Sequence, residues 1–292
     1  MGGGSWTSTS FCNYVTATRA DAATFSLDGS VDYAYSSAQD MFTSRNIAPE
    51  LNPKGVIREC CDTEEHPNTI PVILALDVTG SMGKAAMEVA KKINVVMTEL
   101  YKRVKDVEFL IMGIGDLAYD RAPIQASQFE SDVRIAEQLD KIFFEGGGGG
   151  NGYESYTAAW YFGTRHTKLD CWNRGKKGII ITMGDEPMNP YLPQYPLSIA
   201  CDDGLERDVE TSNLYKEALE KFDIYHLHVN HGYFYYTFDR DIRPTFGKYL
   251  DSNHLREVSI DSIANEIIDI VVNASENTTS QVNVNSNGEI SW

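Results

Sequence analysis

Asp77, Thr79 and Ser81 stand at alternate positions in the stretch LALDVTGSMGKAA, residues 74–86. A carboxylate and two hydroxyls gathered so closely offer half of a site for a hard divalent cation. Gly80 and Gly83 allow the backbone to come near whatever those oxygens hold. Two further stretches carry related chemistry. The tract Gly146–Gly150 runs into Asn151, Glu154 and Ser155, and Asp185 with Glu186 follows the apolar run GIIITMG. Asp116 and Asp120, just past VEFLIMGIG, are placed to flank the same face from a neighbouring strand end. Two aspartates joined by hydroxyl and amide oxygens suit Mg²⁺, Mn²⁺ or Ca²⁺ and not Zn²⁺.

The elements that must position these residues alternate between strand and helix. TIPVILALD is a continuous β-branched and Leu run, the pattern of a strand covered on both faces. Lys84 to Val104 repeats apolar residues at helical spacing. After VEFLIMGIG come a strand at APIQASQF, a helix at DVRIAEQLDKI and a helix at SYTAAWYFGTRH. Strand KGIIITMGD, a Pro-rich loop over 187–196, a helix around Glu206–Lys221 and strand DIYHLHV follow. A variable segment 230–250, strand LREVS and helix IDSIANEIIDIVVNA complete the series. This alternation predicts an α/β fold: a mainly parallel, doubly wound sheet with helices on both faces, in three layers. Ligands of such folds gather beyond the C-terminal strand ends, where all three oxygen-rich stretches fall.

Asp77-Val-Thr79-Gly-Ser81 resembles the DxSxS signature of von Willebrand factor A (vWA) domains, in a DxTGS form. GGGGGNGYES resembles the GGGDxPE version of the family's second loop, and Asp185 in ITMGDEP matches its later aspartate. The resemblance covers about residues 68 to 274 and is to the intracellular bacterial or phage type. It implies a Rossmann-like vWA fold and a metal-ion-dependent adhesion site (MIDAS). Asp77, Thr79, Ser81, Asn151 and Asp185 would be the ligands of Mg²⁺, or of Mn²⁺ or Ca²⁺. Glu154, Ser155, Asp116 and Glu186 would support them, with Glu154, Ser155 or Thr157 able to replace the neutral Asn151. The implied function is metal-dependent protein binding, in which a partner's Asp or Glu completes the coordination. The chain would then be an adaptor or scaffold and no enzyme, with an AAA+ ATPase as a partner by resemblance. The rival reading is a divalent-metal-dependent hydrolase, for which the sequence supplies no poised base and nucleophile.

Other motifs compete for the same residues. TGSMGKAA looks like the end of a phosphate-binding loop, but Val78 and Ala85 occupy the required Gly and Ser/Thr positions. Gly113-Ile-Gly115-Asp-Leu-Ala118 fits GxGxxA, yet Tyr-Asp-Arg-Ala-Pro follows in place of a helix. His226, His228 and His231 form HxHxxH, with the first two on one strand face, either packed or binding a transition metal. Tyr233–Tyr236 is either a recognition surface or core, and Cys60–Cys61 is a candidate for a soft metal.

The 292 residues carry a formal charge of −17, which disfavours nucleic-acid backbones and favours cations. With 42% hydrophobic residues the chain can build its own core. Five cysteines without a CxxC motif, and no secretory leader, point to reduced thiols and a cytoplasmic setting. No apolar run reaches about 18 residues, so no membrane span is expected. The expected organisation is an irregular extension over 1–65 with a short helix near Ala38–Thr43, a vWA domain over 66–275, and a flexible tail over 276–292.

Overall fold

A computed structural model describes residues 4–19, 23–25, 31–33, 42–146, 150–232 and 235–284. Six strands form the main sheet: β1 (Ile70–Asp77), β2 (Val107–Ile114), β3 (Ile124–Ala126), β4 (Gly178–Gly184), β5 (Phe222–Asn230) and β6 (Leu255–Ser259). Their order across the sheet is β3-β2-β1-β4-β5-β6. All neighbours are parallel except the β2–β3 pair. Leu74 pairs with Ile111 on one side and Ile181 on the other. The order reverses between β1 and β4, and that is where a doubly wound sheet opens a crevice beyond its strand ends.

The helices are α1 (Ser8–Arg19), α2 (Gly83–Lys91), α3 (Ile93–Leu100), α4 (Arg134–Asp140), α5 (Thr157–Arg165), α6 (Gln194–Cys201), α7 (Thr211–Leu219), α8 (Arg243–Phe246) and α9 (Ile263–Val284). Because successive side chains of a strand point to opposite faces, β1 feeds two cores. Val72, Leu74 and Leu76 pack with α2, α3, α4 and α9, whereas Ile73 and Ala75 pack with α5, α7 and α8. Both faces are therefore covered, as the unbroken apolar runs of β1, β2 and β4 require. This is the three-layer, Rossmann-like α/β arrangement expected from the strand–helix alternation.

Several elements differ from expectation. The helix expected over Lys84 to Val104 is broken at Lys92, whose N–H turns to Val89 and Ala90, and it stops at Leu100. The Pro-rich loop 187–196 contains strand Tyr191–Leu192, paired with Val209–Glu210, and the start of α6. The segment before residue 65 is not irregular throughout. Helix α1 lays Phe11 and Val15 into the α3 side of the core, together with Trp6 and Phe42. Strand Arg58–Cys60 pairs in parallel with Thr167–Leu169. Most of the helix expected near Ala38–Thr43 lies outside the described residues. Helix α9 continues to Val284, past the expected start of the tail, and residues 285–292 lie outside the described residues.

Candidate metal centre

Strand β1 delivers Asp77, fully buried, to the crevice beside β4. The backbone then turns on the aspartate's own carboxylate. Oδ1 of Asp77 accepts from Thr79 N at 2.9 Å and from Thr79 Oγ1 at 2.6 Å. Thr79 Oγ1 lies 3.2 Å from Ser81 Oγ, and Ser81 Oγ donates to Oδ1 of Asp185 at 2.8 Å. Four residues from two strand ends thus form one continuous chain of oxygens. Helix α2 begins two residues after Ser81.

Tyr156, which no sequence signal singled out, is the centre of this arrangement. Its hydroxyl donates to Oδ2 of Asp77 at 2.6 Å and accepts from Glu186 N at 3.2 Å. Gly184 makes room for it, since a Cβ there would lie 2.0 Å from the Tyr156 oxygen. His231, the last histidine of HxHxxH, also reaches the cluster, with Nε2 2.9 Å from Oδ2 of Asp185.

The glycine-rich loop contributes differently from expectation. Asn151 is exposed, its Oδ1 accepts from Tyr153 N at 3.3 Å, and its side chain bonds Asp116. It does not join the chain of oxygens. Glu154 does come close: its side chain is buried beside Asp77, and its backbone is tied to Pro187 and Asn189 in the loop after Asp185. Ser155 Oγ is occupied by Leu117 N at 3.0 Å, and Thr157 Oγ1 by Asn189 at 2.7 Å. Residues 147–149 of the tract lie outside the described residues.

Around this core stand Asp116 and Asp120 from the end of β2, and Glu186, whose side chain bonds Ser81. Among the described residues, no Lys or Arg ion-pairs with Asp77, Asp116, Asp120, Glu154, Asp185 or Glu186. Burial is the first cause raising the Asp77, Asp116, Asp120, Glu154 and Glu186 carboxyls, and neighbouring acids add to it at Asp77, Asp120, Glu154 and Glu186. Asp77 rises to about 8 and Glu154 to about 11, with Asp185 the main charge on the former and Asp77 on the latter. Glu186 is raised to about 7 by burial and Asp185, and burial brings Asp120 to about 6. One buried oxygen on each of Glu154 (Oε2) and Asp116 (Oδ2) has no hydrogen-bond partner. Acids without a Lys or Arg partner, and orphaned oxygens of hard donor type, fit a divalent cation, which would supply positive charge there.

The other sequence candidates resolve as follows. His226 is fully buried, bonds Thr182 Oγ1 through Nδ1 at 2.8 Å and stacks on Phe246 with centroids 3.7 Å apart, as a packed strand residue does. Neither His226 nor His228 belongs to any three-residue ligand group among the described residues. Cys60 and Cys61 are free, as are Cys12, Cys171 and Cys201. Tyr235 is exposed, and Tyr236 places its hydroxyl against Gly152, while Tyr233 and Phe234 lie outside the described residues. Among the described residues no helix is long and apolar enough to cross a membrane.

No family model and no curated protein matches the chain. Solved structures do match. The pilus adhesin SpaC from Lactobacillus rhamnosus GG, in an open conformation, is 12% identical over 77% of this chain and 31% of its own, with a TM-score of 0.48. Proximal thread matrix protein 1 from the mussel byssus is 12% identical over 74% of this chain and 49% of its own, at 0.45. The vWF domain of the type V pili tip protein Mfa5 from Porphyromonas gingivalis is 12% identical over 76% of this chain and 98% of its own, at 0.41. The chain thus spans 31% of the SpaC chain and 49% of the byssus protein. The fold itself stands on the strand order, register and two-sided core.

Proposed function

We propose that this chain is a vWA-type protein-binding module that works through a divalent cation at an adhesion site. The observation that carries the reading is the clustering of the Asp77, Thr79, Ser81 and Asp185 oxygens at the point where the strand order reverses. In this reading Asp77, Thr79, Ser81 and Asp185 hold Mg²⁺, or Mn²⁺ or Ca²⁺, with Glu154 nearer to the ion than Asn151. The cation leaves a coordination position for an Asp or Glu of a partner protein. A protein with a formal charge of −17 repels acidic surfaces at long range, so the ion, as the largest local charge, makes the contact specific.

The same reading makes the protein a cytoplasmic adaptor, with an AAA+ ATPase among the partners to test first. Affinity capture from native lysate with excess Mg²⁺, and again with chelator, tests the function. A partner retained only with the cation, and lost when one of its acidic residues is replaced, supports it. A partner retained equally in chelator overturns it.

A further inference from the structure

Helix α5 begins beside Asp77 and ends at His166, roughly 14 Å further along its axis. At that far end a different set of donors converges. Cys201 is the last residue of α6, and Asp202 takes a left-handed conformation, φ 64° and ψ 36°, that turns the chain back. Asp203 N then bonds Ser198 O at 3.2 Å, which returns the Asp203 carboxylate toward Cys201. His166, Cys201 and Asp203 each offer a ligand atom, and these atoms all lie within 4.8 Å of one another.

We propose that His166, Cys201 and Asp203 form a second metal site, one that takes a thiophilic divalent cation such as Zn²⁺ and clips the end of α5 to the turn after α6. Tetrahedral Zn²⁺, with bonds of about 2.0–2.3 Å, sets its ligand atoms roughly 3.3–3.8 Å apart, so small side-chain movements, including a slight separation of His166 Nε2 from Asp203 Oδ2, form the site. A sulfur, an imidazole nitrogen and a carboxylate oxygen select Zn²⁺ over the Mg²⁺ suited to the oxygen-only cluster at Asp77.

The hydrogen bonds around His166 are compatible with that role. Its Nδ1 lies 3.2 Å from the carbonyl oxygen of Val56 and its Nε2 2.8 Å from Oδ2 of Asp203. Both are acceptors, whereas a neutral imidazole donates through only one nitrogen. Asp203 Oδ2 also receives the phenol hydrogen of Tyr161. Two N–H groups satisfy both acceptors in the metal-free chain; when a cation binds, Nδ1–H keeps its bond to Val56 and Nε2 exchanges its proton for the metal. A carbonyl behind the imidazole and a phenol behind the carboxylate are the partners that orient metal ligands elsewhere. Val56 is held in place because Gly55 N bonds the Cys201 carbonyl at 2.9 Å. Cys201 and His166 are buried, while the Asp203 side chain is 28% exposed, so water can reach a fourth coordination position from that side.

The test uses Co²⁺ as a spectroscopic stand-in for Zn²⁺, added to the chelator-stripped full chain in excess Mg²⁺. One equivalent is expected to give a thiolate-to-cobalt charge-transfer band and tetrahedral d–d bands, both bleached by Zn²⁺. Cys201→Ser removes the charge-transfer band and Asp203→Asn weakens binding, whereas Cys61→Ser leaves the spectrum unchanged. Tyr161→Phe, which removes the phenol behind the carboxylate, weakens Co²⁺ binding roughly 10–100-fold. Circular dichroism in chelator identifies any variant that fails to fold, and the wild-type spectrum with the partly exposed Asp203→Asn then decides. Co²⁺ bound without a thiolate band, or a band that survives in folded Cys201→Ser, overturns the proposal.

Discussion

Ser81 donates to Asp185 across 104 positions of sequence, at 2.8 Å, and that bond joins the loop after β1 to the loop after β4. The two loops meet because their strands are adjacent at the reversal point of the sheet, so the contact is a product of topology. Replacing Ser81 with Ala removes the link and one oxygen of the proposed metal shell. Stability in chelator is expected to fall by about 1 kcal/mol. Mg²⁺ affinity is expected to fall as well, and calorimetry with chemical denaturation measures both.

Tyr156 and Gly184 should behave as a fitted pair. Tyr156→Phe deprives Asp77 of a donor and Glu186 N–H of its acceptor, at a cost of about 1–3 kcal/mol. Gly184→Ala forces a methyl to within 2.0 Å of the phenol oxygen and 2.6 Å of ring carbons. Combining Tyr156→Phe with Gly184→Ala should therefore not restore stability, because the ring carbons still collide. Recovery in the double variant, followed by urea denaturation, would show that the ring is free to move aside.

Glu154→Gln separates folding from metal binding. Burial and the Asp77 charge raise this carboxyl to about 11, so in chelator it is protonated and an amide is a close substitute. Stability without metal should stay level or rise slightly. Cation affinity should drop on the order of tenfold, about 1.4 kcal/mol, because a charge near the ion is gone. Asn151→Ala, at an exposed residue bonded to Asp116, should change affinity less.

The acid cluster also fixes the sign of a pH effect. The Asp77 and Glu186 carboxyls, at about 8 and about 7, lie above their ordinary values in the unfolded chain. Such groups hold their protons more tightly when folded, so their stabilising contribution is full at low pH. It is lost as pH rises from about 4 through the folded values. Denaturation in chelator should show stability falling between about pH 5 and about pH 9, and saturating Mg²⁺ should flatten the fall. A chelated protein whose stability rises over that range would contradict the electrostatic account.

The amino-terminal segment should prove part of the core. Phe11 is 2% exposed and packs with Trp6 and Val15 into the α3 side of the sheet. Phe11→Ala is expected to cost about 3–5 kcal/mol in chemical denaturation, against near zero for a dispensable extension.

The apolar runs of β1, β2 and β4 and the alternation with helices were legible because both faces of a parallel sheet must be covered. Asp77, Thr79, Ser81 and Asp185 were legible because oxygen donors at strand ends are unusual and such ends converge. Tyr156 was not, since its role depends on the absence of a side chain at Gly184, on another strand. Helix α1 was missed because its sequence shows no sustained apolar period, and tertiary burial of Trp6, Phe11 and Val15 supplies what propensity lacks. At the loop position expected of Asn151, a tract of glycines does not reveal which later side chain turns inward; Glu154 is buried there and Asn151 is exposed. The His166–Cys201–Asp203 group rests on one left-handed residue, Asp202, and no spacing rule announces it.

Whether Asp77 and Asp185 hold a cation is decided by calorimetric titration of Mn²⁺ into chelator-stripped protein beside the Asp185→Ala variant. Co²⁺- or Zn²⁺-type binding at Cys201 is kept apart by carrying both titrations out in the Cys201→Ser background. The account predicts one site in the Asp185-containing protein and none at the same concentrations in Asp185→Ala. An unchanged isotherm in folded Asp185→Ala would contradict it.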